Sequence, residues 1–101
     1  VTSAKRASVL PQVPTLAESG VPGFDVVAWG GLVAPVGTPK NAIERLSAAL
    51  RKALADPAVV RANAALSIEA MPSRPEEMTA LMKRETARWA EAVKRAGVKG
   101  D

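Results

Sequence analysis

Histidine and cysteine are both absent from this 101-residue chain. Without histidine there is neither the commonest general base nor the commonest metal ligand. Without cysteine there is no disulfide staple and no thiolate nucleophile. Aromatics are scarce as well: Phe24, Trp29 and Trp89 are the whole set, 3% of the chain. A core must therefore be built from Ala, Val and Leu. No stretch approaches the roughly 20 apolar residues that span a bilayer. The N-terminus lacks the apolar core of a signal peptide. The net charge of +4 is spread along the chain, with no run of like charges that marks a basic tail.

The remainder is globular in composition, 48% apolar and 24% charged with both signs mixed. A chain of this length suits one small domain, burying about 60–70% of its unfolded surface. Its organising stretch is Phe24 to Pro39, FDVVAWGGLVAPVGTP, which reads as one long strand rich in Val, Trp and Leu. Gly30 and Gly31 interrupt it directly after Trp29. The residues before it are turn-rich and punctuated by proline, and those after it are helical.

In chain order, Val1-Thr2-Ser3 opens abruptly with strand-like residues, so the chain is expected to belong to a longer one. Pro11 and Pro14 force extended or turn geometry on the residues before them. Thr15 to Glu18 fits a capping box for a short helix that Gly20 stops. Val21-Pro22-Gly23 turns the chain into the long strand.

Thr38 is the expected N-cap of the next helix, with Pro39 at its first position. Ile43, Leu46, Leu50 and Leu54, with Ala42, Ala49 and Ala53, form an apolar stripe that predicts a helix from Pro39 to about Ala55. Asp56-Pro57 repeats the cap-plus-proline signature and starts a second helix ending near Leu66. Asp56 thus marks a sharp corner between two rods. Ile68 to Met71 alternates weakly and reads as a short edge strand bounded by Pro72. Ser73 to Glu76 is a further expected capping box. It starts a helix of roughly 22 residues, about 33 Å long, that runs to Ala96 and stops at Gly97.

Catalysis finds no footing. The serines have no histidine to activate them, and Glu44, Glu77 and Glu91 fall among lysines and arginines as solvated face residues. The glycines form neither a dinucleotide-binding fingerprint nor a P-loop, and Gly20-Val-Pro-Gly23 reads as a plain turn. Arg84, Arg88 and Arg95 lie near one another, but interleaved glutamates and the lack of a stacking platform argue against nucleic acid. No metal ligand set and no cofactor motif is present.

Trp29-Gly30-Gly31 leaves two readings open. In one, the stretch forms a wall of a cleft, with Trp29 as an apolar surface and exposed backbone amides as donors. In the other, Trp29 lies in the core and the glycines make room for a helix. Glu85, on the Trp89 side, is expected at the rim rather than as a buried partner of an arginine, because unpaired burial of a carboxylate is costly.

The ordered motifs resemble a known family. Val1-Thr2-Ser3-Ala4-Lys5-Arg6 leads, then Leu10-Pro11-Gln12-Val13-Pro14-Thr15 with Glu18-Ser19-Gly20, and then Val21-Pro22-Gly23-Phe24. Trp29-Gly30-Gly31-Leu32, Ala34-Pro35 and Gly37-Thr38-Pro39 come next. Leu46 to Leu50, Ala55-Asp56-Pro57, Pro75-Glu76-Glu77, Trp89 and Ala96-Gly97-Val98-Lys99 complete the set. Together they are similar to the Bug proteins, the substrate-binding components of tripartite tricarboxylate transporters.

That resemblance implies an α/β fold, the C-terminal part of a type II periplasmic binding protein. The part would be helix-rich, with one long crossing strand and a short edge strand. Residues 1–23 would end the second lobe and approach the hinge. Residues 24–101 would be the crossing strand and C-terminal helices of the first lobe, and Val98 to Asp101 would be the family terminus. The intact protein would be periplasmic and non-enzymatic, capturing small carboxylates and delivering them to membrane transporter subunits, with no cofactor. Trp29 and Gly30 are the candidate ligand contacts, since both lie on the crossing segment. The alternative is a self-associating helical interaction module with no small-molecule ligand. An unpaired Val-rich strand templates another chain, so either reading predicts a homo-oligomer through an open sheet edge.

Overall fold

Helix α1 spans Lys40–Leu54, one residue later than the spacing predicts, and its N-cap is Pro39. Thr38 does not cap it. The Thr38 hydroxyl donates instead to the Pro35 carbonyl at 2.8 Å, closing the turn that feeds the helix. Arg51 and Lys52 sit in the last turn, where positive charge opposes the helix dipole. In this computed structural model, residues 1–99 are described; Gly100 and Asp101, the end of the expected family terminus, lie outside the described residues.

The corner at Asp56 forms as its sequence dictates. Asp56 accepts a hydrogen bond from the Ala58 amide at 2.8 Å, and Pro57 opens helix α2, Pro57–Ala65. The two helices touch around this corner. Helix α2 ends in a Schellman motif: the Ser67 amide donates to the Ala64 carbonyl and the Ile68 amide to the Asn63 carbonyl. Ser67 occupies the left-handed position, φ 57°, that glycine normally fills.

Helix α3, Pro75–Ala96, is the long rod the pattern predicts, but its start is displaced by one residue. Arg74, not Ser73, precedes the helix. Glu77, not Glu76, reaches back to accept from the Arg74 amide at 2.7 Å. Only half of a capping box exists, because a guanidinium has no acceptor to offer the helix amides. The C-terminus closes with the same motif as α2: the Gly97 amide donates to Lys94 and the Val98 amide to Val93, with Gly97 at φ 65°.

Among the described residues there is no strand, which corrects two expectations. Phe24 to Pro39 is not a paired strand, and Ile68 to Met71 is not an edge strand. The reason is the same for both: a strand is defined by its ladder, and these segments meet no second extended segment in register. From Val27 to Ala34 no backbone N–H or C=O is hydrogen-bonded among the described residues. Leu32 and Val33 stand 75% and 73% exposed. The segment after α2 reaches back differently, with Ser8 Oγ donating to Glu69 Oε1 at 3.1 Å.

The expected short helix at Thr15 is replaced by consecutive hydrogen-bonded turns through Gly20. Its capping box is nonetheless complete. The Glu18 amide donates to Thr15 Oγ1 at 3.0 Å, and Glu18 Oε2 accepts from the Thr15 amide at 2.8 Å. Arg6 clamps the same carboxylate through Nε and gives Nη1 to the Pro11 carbonyl. Val1 and Thr2 lie alongside: the Leu16 amide donates to Val1 and the Val26 amide to Thr2. Thr15, 2% exposed, is the one buried residue among those described, and no hydrophobic side chain is buried.

The shape reflects that missing core. The radius of gyration is 16.7 Å, against about 13 Å for a compact domain of this length. The accessible surface is 8330 Å². A folded monomer of this mass exposes about 5,400 Å², so roughly 2,900 Å² is surplus.

These turns yield two tests. Ser67→Gly removes left-handed strain and is expected to stabilise the end of α2 by about 1 kcal/mol, while Gly97→Ala costs α3 about the same. Helical circular dichroism across a urea series reads both. The Glu18 carboxyl is held below its ordinary value, first by the Arg6 hydrogen bond and then by the Thr15 amide. Its folded value is the lower one, so the turn is stabilised above the unfolded value and loses that support as pH falls through the folded one. NMR titration of the Glu18 side chain is expected to show this, and Arg6→Gln is expected to return Glu18 towards its ordinary value.

Candidate functional site

Helix α3 runs antiparallel along Asp25 to Gly31. At one end Arg88 Nη2 donates to the Asp25 carbonyl at 2.6 Å. At the other, Met78 lies against Gly31, so close that a Cβ there would collide with its terminal methyl. Between them Trp29, Met82, Glu85, Thr86 and Trp89 line an open groove of about 330 Å³. The helical spacing of Met78, Met82, Glu85 and Trp89 puts all four on one face of α3.

Glu85 corrects the rim expectation. Its side chain is 13% exposed and paired: Oε1 lies 3.7 Å from Arg84 Nε and 3.8 Å from Arg88 Nη1. Oε2 accepts from the Trp89 indole N–H at 3.2 Å. Two guanidiniums and an indole donor offset the desolvation that argued for the rim. The Arg88 guanidinium also lies over the Trp89 ring, 6.0 Å from its centroid, within cation–π range. Arg95 pairs with Glu91 at 2.8 Å. The basic face of α3 is thus largely occupied by its own carboxylates.

Of the expected contacts, Trp29 forms a wall of the groove and stays 38% exposed rather than entering a core. Gly30 is beside it but faces open space. The glycine pair therefore divides: Gly31 makes room for helix α3, and Gly30 leaves the backbone open. Asp25, Arg88, Met82 and Thr86 also belong to the constellation, beyond the Trp29 and Gly30 that the sequence offers. The amphipathic period marks Met82 as apolar, but nothing in the sequence brings Arg88 to a carbonyl 63 residues away. Among the described residues no acidic cluster could hold a metal, and no helix is long and apolar enough to cross a membrane.

The model of the tripartite tricarboxylate transporter family receptor, TctC, matches residues 1–98. This chain belongs to that family. The chain is 47% identical over 94 residues to a UPF0065 protein of Pseudomonas sp. (strain P51) from the tcbD-tcbE intergenic region. That match covers 92% of the chain and 28% of the relative. It is 34% identical over 99 residues to protein BugT of Bordetella pertussis, covering 98% of the chain and 30% of BugT. In three dimensions it is similar to the periplasmic binding protein BugD, with a TM-score of 0.81 and 40% identity over 99% of this chain and 34% of that one. The chain thus spans about a third or less of each of these three proteins. The resemblance read from the ordered motifs holds, and so does the likeness to a periplasmic binding protein; its strands are not formed here.

The glycine pair yields a test. Gly30→Ala meets no atom within 4 Å and is expected to leave stability unchanged. Gly31→Ala must move Met78, whose flexible side chain limits the cost to about 1 kcal/mol. Combining it with Met78→Ala should remove that penalty. Thermal midpoints of the two single variants and the double variant measure the coupling.

Proposed function

We propose that this chain is the C-terminal part of a periplasmic solute receptor that captures small carboxylates and hands them to a tripartite secondary transporter. Membership of the receptor family along residues 1–98 is the observation that carries the reading. In this reading residues 1–23 close the second lobe, residues 24–101 cross to the first, and the receptor works by binding and closure rather than catalysis.

The physical chemistry of the described residues supports a division of labour. A carboxylate is best received by free amides at a helix N-terminus. Here α2 is capped by Asp56 and α3 by Glu77, with Glu76 beside it, whereas α1 opens with no side-chain cap at its N-cap and no acidic residue in its first turn. The groove beside Trp29 carries the Glu85 carboxylate, which already engages Arg84 and Arg88. The anion-holding groups in this reading are then the α1 N-terminus and those on the remaining length of the receptor. This chain contributes Trp29 and the open backbone at Gly30 as the candidate ligand contacts.

The surplus surface fits the same reading. Strands from the remaining length would pair with Val27 to Ala34 and cover Leu32 and Val33. In isolation that bare edge templates a second copy, so the isolated chain is expected to form a homo-oligomer.

Calorimetry of the full-length receptor with citrate, di-carboxylates and amino acids tests the function, with micromolar binding and accompanying compaction in X-ray scattering expected. No binding and no compaction with any of them would overturn it. Light scattering of the isolated chain in parallel is expected to show a dimer or larger; a folded micromolar monomer would defeat the edge assignment.

A further inference from the structure

We propose that Asp25 and Arg88 form a latch that couples the Val1–Gly23 part of the chain to helix α3, with both as positioning residues. Asp25 is the place where three segments meet. Its Oδ1 accepts from the Ala4 amide at 3.0 Å, and its carbonyl accepts from Arg88 Nη2 at 2.6 Å. The adjoining Val26 amide donates to the Thr2 carbonyl at 2.8 Å. Among the described residues the Arg88 bond is the one hydrogen bond between α3 and residues 1–39.

Arg88 is held for this role rather than free to wander. Glu85 Oε1 sits 3.8 Å from its Nη1, and its guanidinium rests over Trp89. Trp89 is in turn tied to Glu85 through its indole N–H. One carboxylate therefore orients both the arginine and the ring beneath it, leaving Nη2 to reach the Asp25 carbonyl. A guanidinium placed in this way loses less freedom on bonding than a lysine would.

The mechanical consequence rests on the receptor reading: if the two parts lie in different lobes, the latch sets the angle at which they stand. Its existence does not rest on ligand binding. Gly20 and Gly23, with φ of 104° and 76°, lie in the turn between the two parts that the latch joins.

Hydrogen exchange in the ligand-free, full-length receptor tests the latch. Arg88→Met keeps the apolar stem and removes the donors. It is expected to speed exchange at the Ala4 and Val26 amides about tenfold while α1 amides stay unchanged. Arg88→Lys retains a donor and is expected to recover most of the protection, a rescue that mere loss of packing would not give. If Arg88→Met does not accumulate, Glu85→Gln removes the orienting charge and is expected to show the same local pattern at smaller amplitude. Unchanged exchange at Ala4 and Val26, or equal acceleration in α1, overturns the proposal. Failure of citrate to bind the same receptor would count against the function proposed above and leave the latch standing.

Discussion

Every backbone amide and carbonyl removed from water must find a partner, and this chain supplies most of them locally. Helices satisfy their own backbone, so α1, α2 and α3 form wherever period and caps allow. Turns do the same between Thr15 and Gly20 through the Thr15–Glu18 box and Arg6. An extended segment has no such option. Val27 to Ala34 keeps its backbone groups in water, and the apolar side chains along it stay exposed with them.

The absence of a hydrophobic core among the described residues has the same origin. Helices α1 and α2 meet at one corner, and α3 lies along a single extended segment rather than against a layer. A half-built layer cannot enclose side chains, so apolar faces with regular spacing remain open. Relatives about three times as long have the length to complete such layers.

Polar contacts therefore do the positioning that a core does elsewhere. Asp25 draws together the start of the chain, the crossing segment and α3, and Glu85 orients the arginine and indole that complete the junction. Each bond is modest in exposed surroundings, but the chain has few others between distant segments. Gly31 serves the same junction sterically, since any side chain there would displace the end of the Met78 side chain.

Local chemistry alone determined the three helices, the Asp56-Pro57 corner and the Gly97 stop, because cap, proline and 3.6-residue period act within a few residues. The ordered motifs likewise determined the family. Helices α1 and α3 start one residue beyond the caps that Thr38 and Ser73 suggest, since Thr, Ser and Pro neighbours offer competing caps. Trp29 was legible as unusual, and its groove was not. Tertiary structure alone decided that Glu85 is paired beneath two arginines, that Gly31 rather than Gly30 admits the helix, and that Arg88 reaches Asp25. Those outcomes depend on which distant segment lies alongside, and pairing of an extended stretch depends on a neighbour that no local pattern can provide.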